Sequence, residues 1–92
     1  MSANWRLEAA CRHEDPDLFF AAEGETAHAR QAREASARAI CAGCIVRSPC
    51  LDFRLTFEHQ RDGDIWAGYD GEERYGLRRA LLKRQQRKER AA

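Results

Sequence analysis

The stretch that decides the fold is CAGCIVRSPC, residues 41–50, which contains three of the four cysteines in a chain of 92 residues. The remaining cysteine, Cys11, lies near the N-terminus. Three thiols close together in sequence, with a fourth brought from a distance, are typical of a short chain that surrounds one inorganic centre. The sequence therefore predicts that all four cysteines are ligands to one metal ion or cluster. They are Cys11, Cys41, Cys44 and Cys50.

The small size of the chain also favours a bound centre. A domain of this size buries only about 60% of the surface that its unfolded chain exposes, and such domains often need a metal or disulfides for stability. The N-terminus has no apolar segment typical of a signal peptide, and no apolar run approaches the ~20 residues of a membrane span. We therefore expect a cytoplasmic protein without membrane contact, in which cysteines are more often metal ligands than disulfides. Two disulfides are the alternative.

Charge is unevenly distributed along the chain. Residues 78–90 contain seven Lys or Arg and one Glu, a net charge of +6, whereas residues 1–77 carry −5. The sequence therefore divides into a cluster-binding core, residues 1–77, and a basic tail, residues 78–92. Such a concentration of Arg and Lys suits a DNA phosphate backbone, although a solvated terminal helix has the same composition. The candidate DNA-binding residues are Arg78, Arg79, Lys83, Arg84, Arg87, Lys88 and Arg90.

Helix signals dominate the sequence, and no segment alternates apolar and polar residues as a half-buried strand would. We predict a first helix from about Ala3 to Ala10. A second helix is predicted from Thr26 to Ala39, because this segment is rich in strong helix formers and Thr26 is a suitable N-cap. The chain is therefore predicted to be all-α.

A third helix is predicted to begin at Ser48 and to continue to about His59. Ser48 would be its N-cap and Pro49 its first helical residue, a position that proline favours. Cys50 would then lie in the first turn, where the helix dipole favours a thiolate and hence a metal ligand.

The last predicted helix starts near Gly71. Asp70 and Glu73 have the spacing of a capping box, in which each side chain accepts from the backbone N–H of the other residue. Beyond Leu82 the apolar periodicity ends, so we expect those turns to fray without a partner. Together these segments predict a small bundle of about four short helices around the metal centre, followed by a basic C-terminal helix or tail.

An apolar run, Ile65-Trp66-Ala67-Gly68, precedes the last predicted helix, and we call it the tryptophan turn. Gly68 indicates a point where the backbone approaches another group closely. The chain also has two tryptophans and a Phe-Phe pair among few large apolar residues. The residues alone leave three roles open for these side chains: core packing, shielding of the centre, or an exposed interface.

The sequence resembles the WhiB-like proteins of actinobacteria and their phages over nearly its whole length. The shared cysteine pattern is Cys41-x2-Cys44-x5-Cys50. The combination of the four-cysteine spacing with a tryptophan turn at this distance is quite specific, whereas Cys-x2-Cys alone is common. The other shared features are Cys11 followed by Asp15-Pro16 and Leu18-Phe19-Phe20, and Ile65-Trp66-Ala67-Gly68 followed by Glu73-Arg74 and a basic tail.

The resemblance implies a 4Fe-4S cluster that is held by the four cysteines and is sensitive to oxygen and nitric oxide. It implies a transcription factor rather than an enzyme. Such a protein would act as a monomer in a heterodimer with the principal sigma factor of RNA polymerase, binding its region 4, and would contact promoter DNA through the basic tail. The sigma-binding residues that the resemblance carries over are Trp5, Phe19, Phe20 and Trp66, which we call the apolar face.

One difference from the family concerns the tryptophan turn. The family usually has Gly-Val/Ile-Trp-Gly-Gly, whereas this chain has Asp64 and Ala67 in place of two of the glycines. Ala67 adds only a methyl group, so we expect the turn to accept it. Asp64 could not adopt a glycine-only backbone conformation without cost, so the sequence leaves the detailed conformation of the turn open.

Three other functions would use the same cysteines. A structural DNA-binding module would hold one zinc ion with all four thiolates. A thiol-disulfide reductase would use Cys41 and Cys44, but the sequence lacks the βαβ pattern of a thioredoxin-like sheet. A ferredoxin is typified by Cys-x2-Cys-x2-Cys-x3-Cys-Pro, a spacing that this chain does not have. Zinc is therefore the main alternative to the 4Fe-4S cluster.

Overall fold

The computed structural model describes residues 4–56 and 63–91 of the chain. These residues form three short 3-10 helices followed by three α-helices. The 3-10 helices are Trp5–Glu8, Ala10–His13 and Pro16–Leu18, and the α-helices are α1 (Ala27–Ala42), α2 (Arg47–Thr56) and α3 (Gly71–Ala91). Within the described ranges, β-structure is limited to an isolated bridge between Trp66 and Tyr69. The predicted all-α class is confirmed, with three α-helices instead of about four.

The prediction of one helix from about Ala3 to Ala10 is wrong in its described part. Two single 3-10 turns are instead separated at Ala9, whose extended backbone has a φ of −66° and a ψ of 133°. So short a segment forms too few hydrogen bonds to offset the cost of nucleating an α-helix. The break lets the N–H of Ala10 reach Sγ of Cys44 at 3.4 Å. It therefore brings the segment that contains Cys11 against the other cysteines.

Helix α1 begins as predicted. The hydroxyl oxygen of Thr26 accepts a hydrogen bond from the N–H of Ala29 at 3.1 Å, which satisfies one of the free donors of the first turn. The helix continues past its predicted end at Ala39 to Ala42. This extra turn places Cys41 within the helix, on its buried side.

The apolar core is small and lies beside Cys41. Its buried cluster consists of Phe19, Ala37, Cys41 and Ile65, with Leu18 and Ile40 packed against it. The N–H of Ile65 donates to the carbonyl oxygen of Phe19 at 2.8 Å, so the tryptophan turn is joined by its backbone to the N-terminal segment. The core therefore positions both segments that border the cysteines.

Helix α2 begins at Arg47, two residues before the predicted first helical residue, Pro49. Ser48 consequently lies inside the helix, and the prediction that it is the N-cap is wrong. Pro49 is compatible with this register because the first N–H groups of a helix have no acceptor within it. The predicted end near His59 falls outside the described residues.

Helix α3 begins with the predicted capping box. The N–H of Glu73 donates to Oδ1 of Asp70 at 2.8 Å, and the N–H of Asp70 donates to Oε1 of Glu73 at 2.9 Å. The helix runs for 21 residues, a length of about 30 Å. We predicted fraying after Leu82, whereas the structure continues the helix to Ala91, in keeping with the strong helix formers in this segment. None of the described helices is both long and apolar enough to cross a membrane.

Candidate metal centre

The four cysteines line one small cavity of about 30 Å³, which we call the cysteine cavity. Cys11 lies in the second 3-10 helix, Cys41 in the last turn of α1, Cys44 in the following loop and Cys50 in the first turn of α2. All four are free thiols. The fold thus brings together four residues from separate segments, as a shared centre requires. The other lining residues are Ala9, Ile40, Arg47 and Ala67.

Burial raises the pKa of three of these thiols. Loss of solvation is the main cause for Cys11, Cys41 and Cys50, and it raises the pKa of Cys50 to about 11. Neighbouring cysteines raise each pKa further, because adjacent thiolates repel one another. We expected the start of α2 to favour a thiolate at Cys50, but burial outweighs the helix dipole there. Burial thus favours the protonated thiol at Cys11, Cys41 and Cys50, and a bound metal would have to displace those protons.

Backbone N–H groups point at three of the four sulfurs. Ala67 donates to Cys50 and Gly68 donates to Cys41, and each bond lowers the pKa of its thiol in opposition to burial. The sulfur of Cys44 accepts a hydrogen bond from the N–H of Ala10. Such N–H···S bonds favour the thiolate and are one means by which proteins adjust iron–sulfur clusters. The tryptophan turn therefore lies directly against two of the predicted ligands.

The tryptophan turn has the backbone of a tight two-residue hairpin. Trp66 and Tyr69 exchange backbone hydrogen bonds of 3.0 Å in both directions. Between them, Ala67 and Gly68 have φ values of 55° and 83°. Two successive positive φ values are typical of a type I′ turn. This conformation directs both central N–H groups toward the cysteines.

At Gly68 the backbone comes close to other groups, as the sequence predicted. A Cβ atom at this position would lie 2.8 Å from Nη2 of Arg47 and 3.4 Å from Cβ of Cys41. A side chain would therefore displace either the arginine or the cysteine. The prediction that the backbone approaches another group closely at Gly68 is confirmed.

Of the two residues that differ from the usual family turn, Ala67 is accepted within the turn as predicted, and Asp64 does not take a left-handed conformation. Ala67, rather than Asp64, adopts the left-handed backbone. The carboxylate of Asp64 accepts from the N–H of Ala21 at 3.0 Å. Its carbonyl oxygen accepts from the fully buried Arg74 at 3.0 Å. Asp64 therefore connects the turn to the N-terminal segment and to α3, and it does so without a glycine-only backbone conformation.

Two arginines that sequence reasoning missed hold the carbonyl groups of the turn. Nε of Arg47 donates to the carbonyl oxygen of Ala67 at 2.6 Å, and Nη1 of Arg38 donates to that of Gly68 at 2.9 Å. Arg38 also forms ion pairs of 2.7 and 3.3 Å with the two carboxylates of the α3 capping box. In the sequence, Arg47 could have been recognised by its position, since it is a cation between Cys44 and Cys50.

The four residues of the apolar face line a second cavity, of about 280 Å³, which also reaches Cys11, Cys41 and Cys50. Phe19 is only 7% exposed, so it belongs to the core as well as to the face. Phe20 is 46% exposed and accessible to a partner. The structure thus brings the predicted sigma-binding residues together beside the cysteines.

Cationic side chains stack on both tryptophans of the apolar face. The guanidinium of Arg6 lies 4.8 Å from the ring centre of Trp5 and 4.3 Å from that of Phe53. The guanidinium of Arg54 lies 5.0 Å from the ring centre of Trp66. These cation–π contacts hold each indole ring in a defined orientation.

The comparison with known protein families matches residues 5–77 to the family described as Transcription factor WhiB. The chain belongs to this family. The resemblance inferred from the cysteine pattern and the tryptophan turn is thereby confirmed.

Relatives of this WhiB-family chain are regulators from actinobacterial species. It is 42% identical to the transcriptional regulator WhiD of Streptomyces coelicolor, over 80% of the chain and 64% of that protein, so it spans less than two thirds of this relative. It is 38% identical to the transcriptional regulator WhiB1 of Bifidobacterium longum, over 87% of the chain and 83% of the relative. It is also 38% identical to the transcriptional regulator WhiB1 of Mycobacterium tuberculosis, over 83% of the chain and 86% of the relative.

The basic tail of the WhiB-family chain is the outer part of α3. Arg78 differs from the other predicted DNA-binding residues because it is partly buried and its Nη1 donates to the carbonyl oxygen of Leu55 at 2.8 Å. This bond joins α3 to α2, which gives Arg78 a structural role. The remaining six cationic residues are exposed.

Four of these six exposed cations follow one side of α3. Residues separated by three or four positions share a helix face, and the spacing of these four fits that rule. They form a stripe that is about 16 Å long. The stripe consists of Arg79, Lys83, Arg87 and Arg90, while Arg84 and Lys88 lie farther around the helix.

Proposed function

We propose that this WhiB-family protein is a transcriptional regulator with a 4Fe-4S cluster on its four cysteines, a sigma-binding apolar face and a DNA-binding tail. The observation that carries the proposal is the contiguity of the two cavities. The cysteine cavity and the cavity of the apolar face share Cys11, Cys41 and Cys50 in their walls. A partner on that face would therefore touch the surroundings of the cluster, and the state of the cluster would affect the partner.

The chemistry of the cysteine cavity fits an iron–sulfur cluster. It offers four thiols, apolar walls and N–H donors directed at the sulfurs, and these are features that clusters require. Bound there, a cluster would supply one-electron redox chemistry and reactivity toward small oxidants. The protein residues would hold it, exclude bulk water on the core side and donate hydrogen bonds to its ligands.

Zinc is the alternative centre, since tetrahedral zinc with Zn–S bonds of ~2.3 Å would hold four thiolates about 3.8 Å apart. Among the described residues, no three Cys, His, Asp or Glu side chains form a group that could hold one metal ion. The thiols would therefore have to shift to bind a single zinc ion, and metal analysis decides between zinc and the cluster.

The apolar face is the surface proposed to bind region 4 of the principal sigma factor. A concave apolar surface with exposed aromatic residues is typical of a protein interface. Phe20 offers an accessible ring, while Trp66 is held in place by the stacked guanidinium of Arg54. We propose a heterodimer that contains one copy of this chain and one sigma factor.

The basic stripe of α3 is proposed to contact promoter DNA through phosphates. If its four cations each neutralise one phosphate, the logarithm of the binding constant should fall with the logarithm of salt concentration at a slope of about −4. The tail has no Arg-Gly-Arg-Pro sequence of the kind that reads the minor groove. Promoter choice would therefore come mainly from the sigma partner.

The cluster is also proposed to respond to oxygen or nitric oxide. Cys11 is exposed, whereas Cys41 is buried, so small reactive molecules can approach the centre from one side. Loss of the cluster would then alter the apolar face, because both share the same cavity walls.

The first experiment is a UV-visible spectrum with iron and sulfide analysis of protein purified without oxygen. A brown protein with about four irons per chain would support the cluster. A colourless protein with about one zinc per chain would overturn it and favour the zinc module. The cluster-loaded protein would next be tested for co-purification with sigma region 4, and failure to bind would contradict the sigma proposal.

A further inference from the structure

The peptide groups of the tryptophan turn are held from both sides. On the inner side, the N–H groups of Ala67 and Gly68 donate to the sulfurs of Cys50 and Cys41. On the outer side, the carbonyl oxygen of Ala67 accepts from Nε of Arg47 at 2.6 Å. Rotation of this part of the turn would break bonds on both sides at once. The arginine therefore helps to fix where the N–H of Gly68 points, because this N–H and the carbonyl of Ala67 belong to one planar peptide group.

The side chain of Arg47 is itself fixed at several points. Its guanidinium lies 5.1 Å from the ring centre of Tyr69. The backbone of Gly68 leaves space for its Nη2, since a Cβ there would lie 2.8 Å away. The same side chain lines the cysteine cavity. A guanidinium keeps its positive charge at all physiological pH values, so this wall of the cavity is permanently cationic.

We infer that Arg47 is a positioning residue for the metal centre: it holds the Gly68 amide of the turn on the Cys41 sulfur and places a fixed positive charge beside the cysteines. The inference rests on the proposed function, because it requires a centre bound by the four cysteines. Four thiolates on one centre concentrate negative charge in a partly desolvated site. Hydrogen bonds to the sulfurs and nearby charge are two of the quantities that set the reduction potential of a cluster.

Arg38 provides a matched control within the same turn. It donates to the neighbouring carbonyl oxygen, that of Gly68, at 2.9 Å. Its charge, however, is paired with the carboxylates of Asp70 and Glu73, and its side chain is not part of the wall of the cysteine cavity. Replacing either arginine removes a hydrogen bond to the turn. Replacing Arg47 also removes a charge from beside the sulfurs.

The test compares Arg47→Gln, Arg47→Lys and Arg38→Gln in full-length protein purified without oxygen. The midpoint potential of the cluster is measured in a spectroelectrochemical cell, in which the electrode supplies the electron. Release of iron to a chelator is followed by the loss of visible absorption, and thermal unfolding is recorded for each variant. These three readouts separate the environment of the cluster from the stability of the fold.

We expect Arg47→Gln to lower the equilibrium constant for one-electron reduction about tenfold, a shift of 59 mV to more negative potential, because it removes a nearby cation. It should also release iron about tenfold faster than wild type because the turn loses a support. Arg47→Lys should keep a potential near that of wild type but still release iron faster, since lysine cannot reproduce the Nε bond and the stacking. Arg38→Gln should lower the unfolding temperature without shifting the potential.

An unchanged potential in Arg47→Gln, or an equal shift in Arg38→Gln, would overturn the inference. If Arg47→Gln cannot be loaded with a cluster, Arg47→Lys and Arg38→Lys decide the matter by their iron release. Faster release from the Arg47 variant supports the inference, and equal rates overturn it. If the wild-type protein contains zinc instead of iron, the proposed cluster is refuted but the positioning role of Arg47 is not. That role is then tested by zinc transfer to a chelator, which should be faster from Arg47→Lys than from Arg38→Lys, and equal rates would overturn it.

Discussion

Gly68 is the position in the tryptophan turn where one added methyl group should cost the most stability. Its φ of 83° lies in the left-handed region, which costs an L-residue about 1–2 kcal/mol. In Gly68→Ala the new Cβ would lie 2.8 Å from Nη2 of Arg47, so the guanidinium must move. We expect that movement to disrupt the 2.6 Å bond from Nε of the same guanidinium to the carbonyl oxygen of Ala67. Hydrogen bonds from charged groups contribute about 1.5–3 kcal/mol, so we expect the free energy of unfolding to fall by about 3 kcal/mol.

The assay is thermal unfolding of the cluster-loaded protein, followed by circular dichroism without oxygen. A loss of about 3 kcal/mol should lower the unfolding temperature by about 12–24 °C in a domain of this size. Gly43→Ala is the matched control, because the nearest atom to its new Cβ is 4.0 Å away and its φ of −95° suits alanine. We expect that control to stay within about 0.5 kcal/mol of wild type. The reasoning is refuted if Gly68→Ala and Gly43→Ala unfold at the same temperature.

Four further predictions concern the partner surfaces, the ion pairs and the centre. Truncation after Leu82 should abolish DNA binding in a gel-shift assay but spare sigma binding in a pull-down, and equal loss of both would contradict it. Phe20→Ala should weaken sigma binding by about 2 kcal/mol, whereas Leu82→Ala, with the same 46% exposure, should not. The pKa of Glu25 is lowered by its hydrogen bonds from Arg33, so its stabilising contribution should be present above its unfolded pKa and lost as pH falls through the folded value. In urea unfolding, the free energy of unfolding should fall less on acidification in Glu25→Gln than in wild type. Chelation of the metal should reduce the far-UV circular dichroism signal, and an unchanged spectrum would exclude this.

Local side-chain chemistry made the starts of α1 and α3 predictable from sequence. Thr26 and the Asp70–Glu73 pair each bond to backbone within three residues, so their partners are fixed as soon as the helix forms. The 3-10 turns near Cys11 were not predictable in this way. Their geometry depends on a contact with Cys44, which is distant in sequence. Helix propensity depends only on the local sequence, so it does not reveal such a contact.

The same distinction explains why the cysteines were found and the arginines around them were not. Cysteine is rare enough that its spacing alone indicates a shared site. Arginine is common on helix surfaces, and the contacts of Arg38 and Arg47 with the turn span 30 and 20 residues of sequence. The backbone conformations of Asp64 and Ala67 could not be predicted, for a related reason. Which residue takes the left-handed conformation depends on the pairing of Trp66 with Tyr69, and composition does not show that pairing.

The way the segments are joined gives the metal centre a structural role as well as a chemical one. The buried apolar side chains outside the cysteines are few, and polar contacts join the helices elsewhere: Arg38 connects α1 to the start of α3, and Arg78 connects α3 to α2. Each such hydrogen bond from a charged group contributes only about 1.5–3 kcal/mol, so a few of them cannot replace a core. A cluster on the four cysteines would join the N-terminal segment, α1 and α2 by coordination bonds, so its binding energy would be part of the folding energy. If the proposed cluster and the proposed sigma-binding face are both present, oxidative loss of the cluster would therefore change the shape of that face, a larger effect than a change of one charge could have.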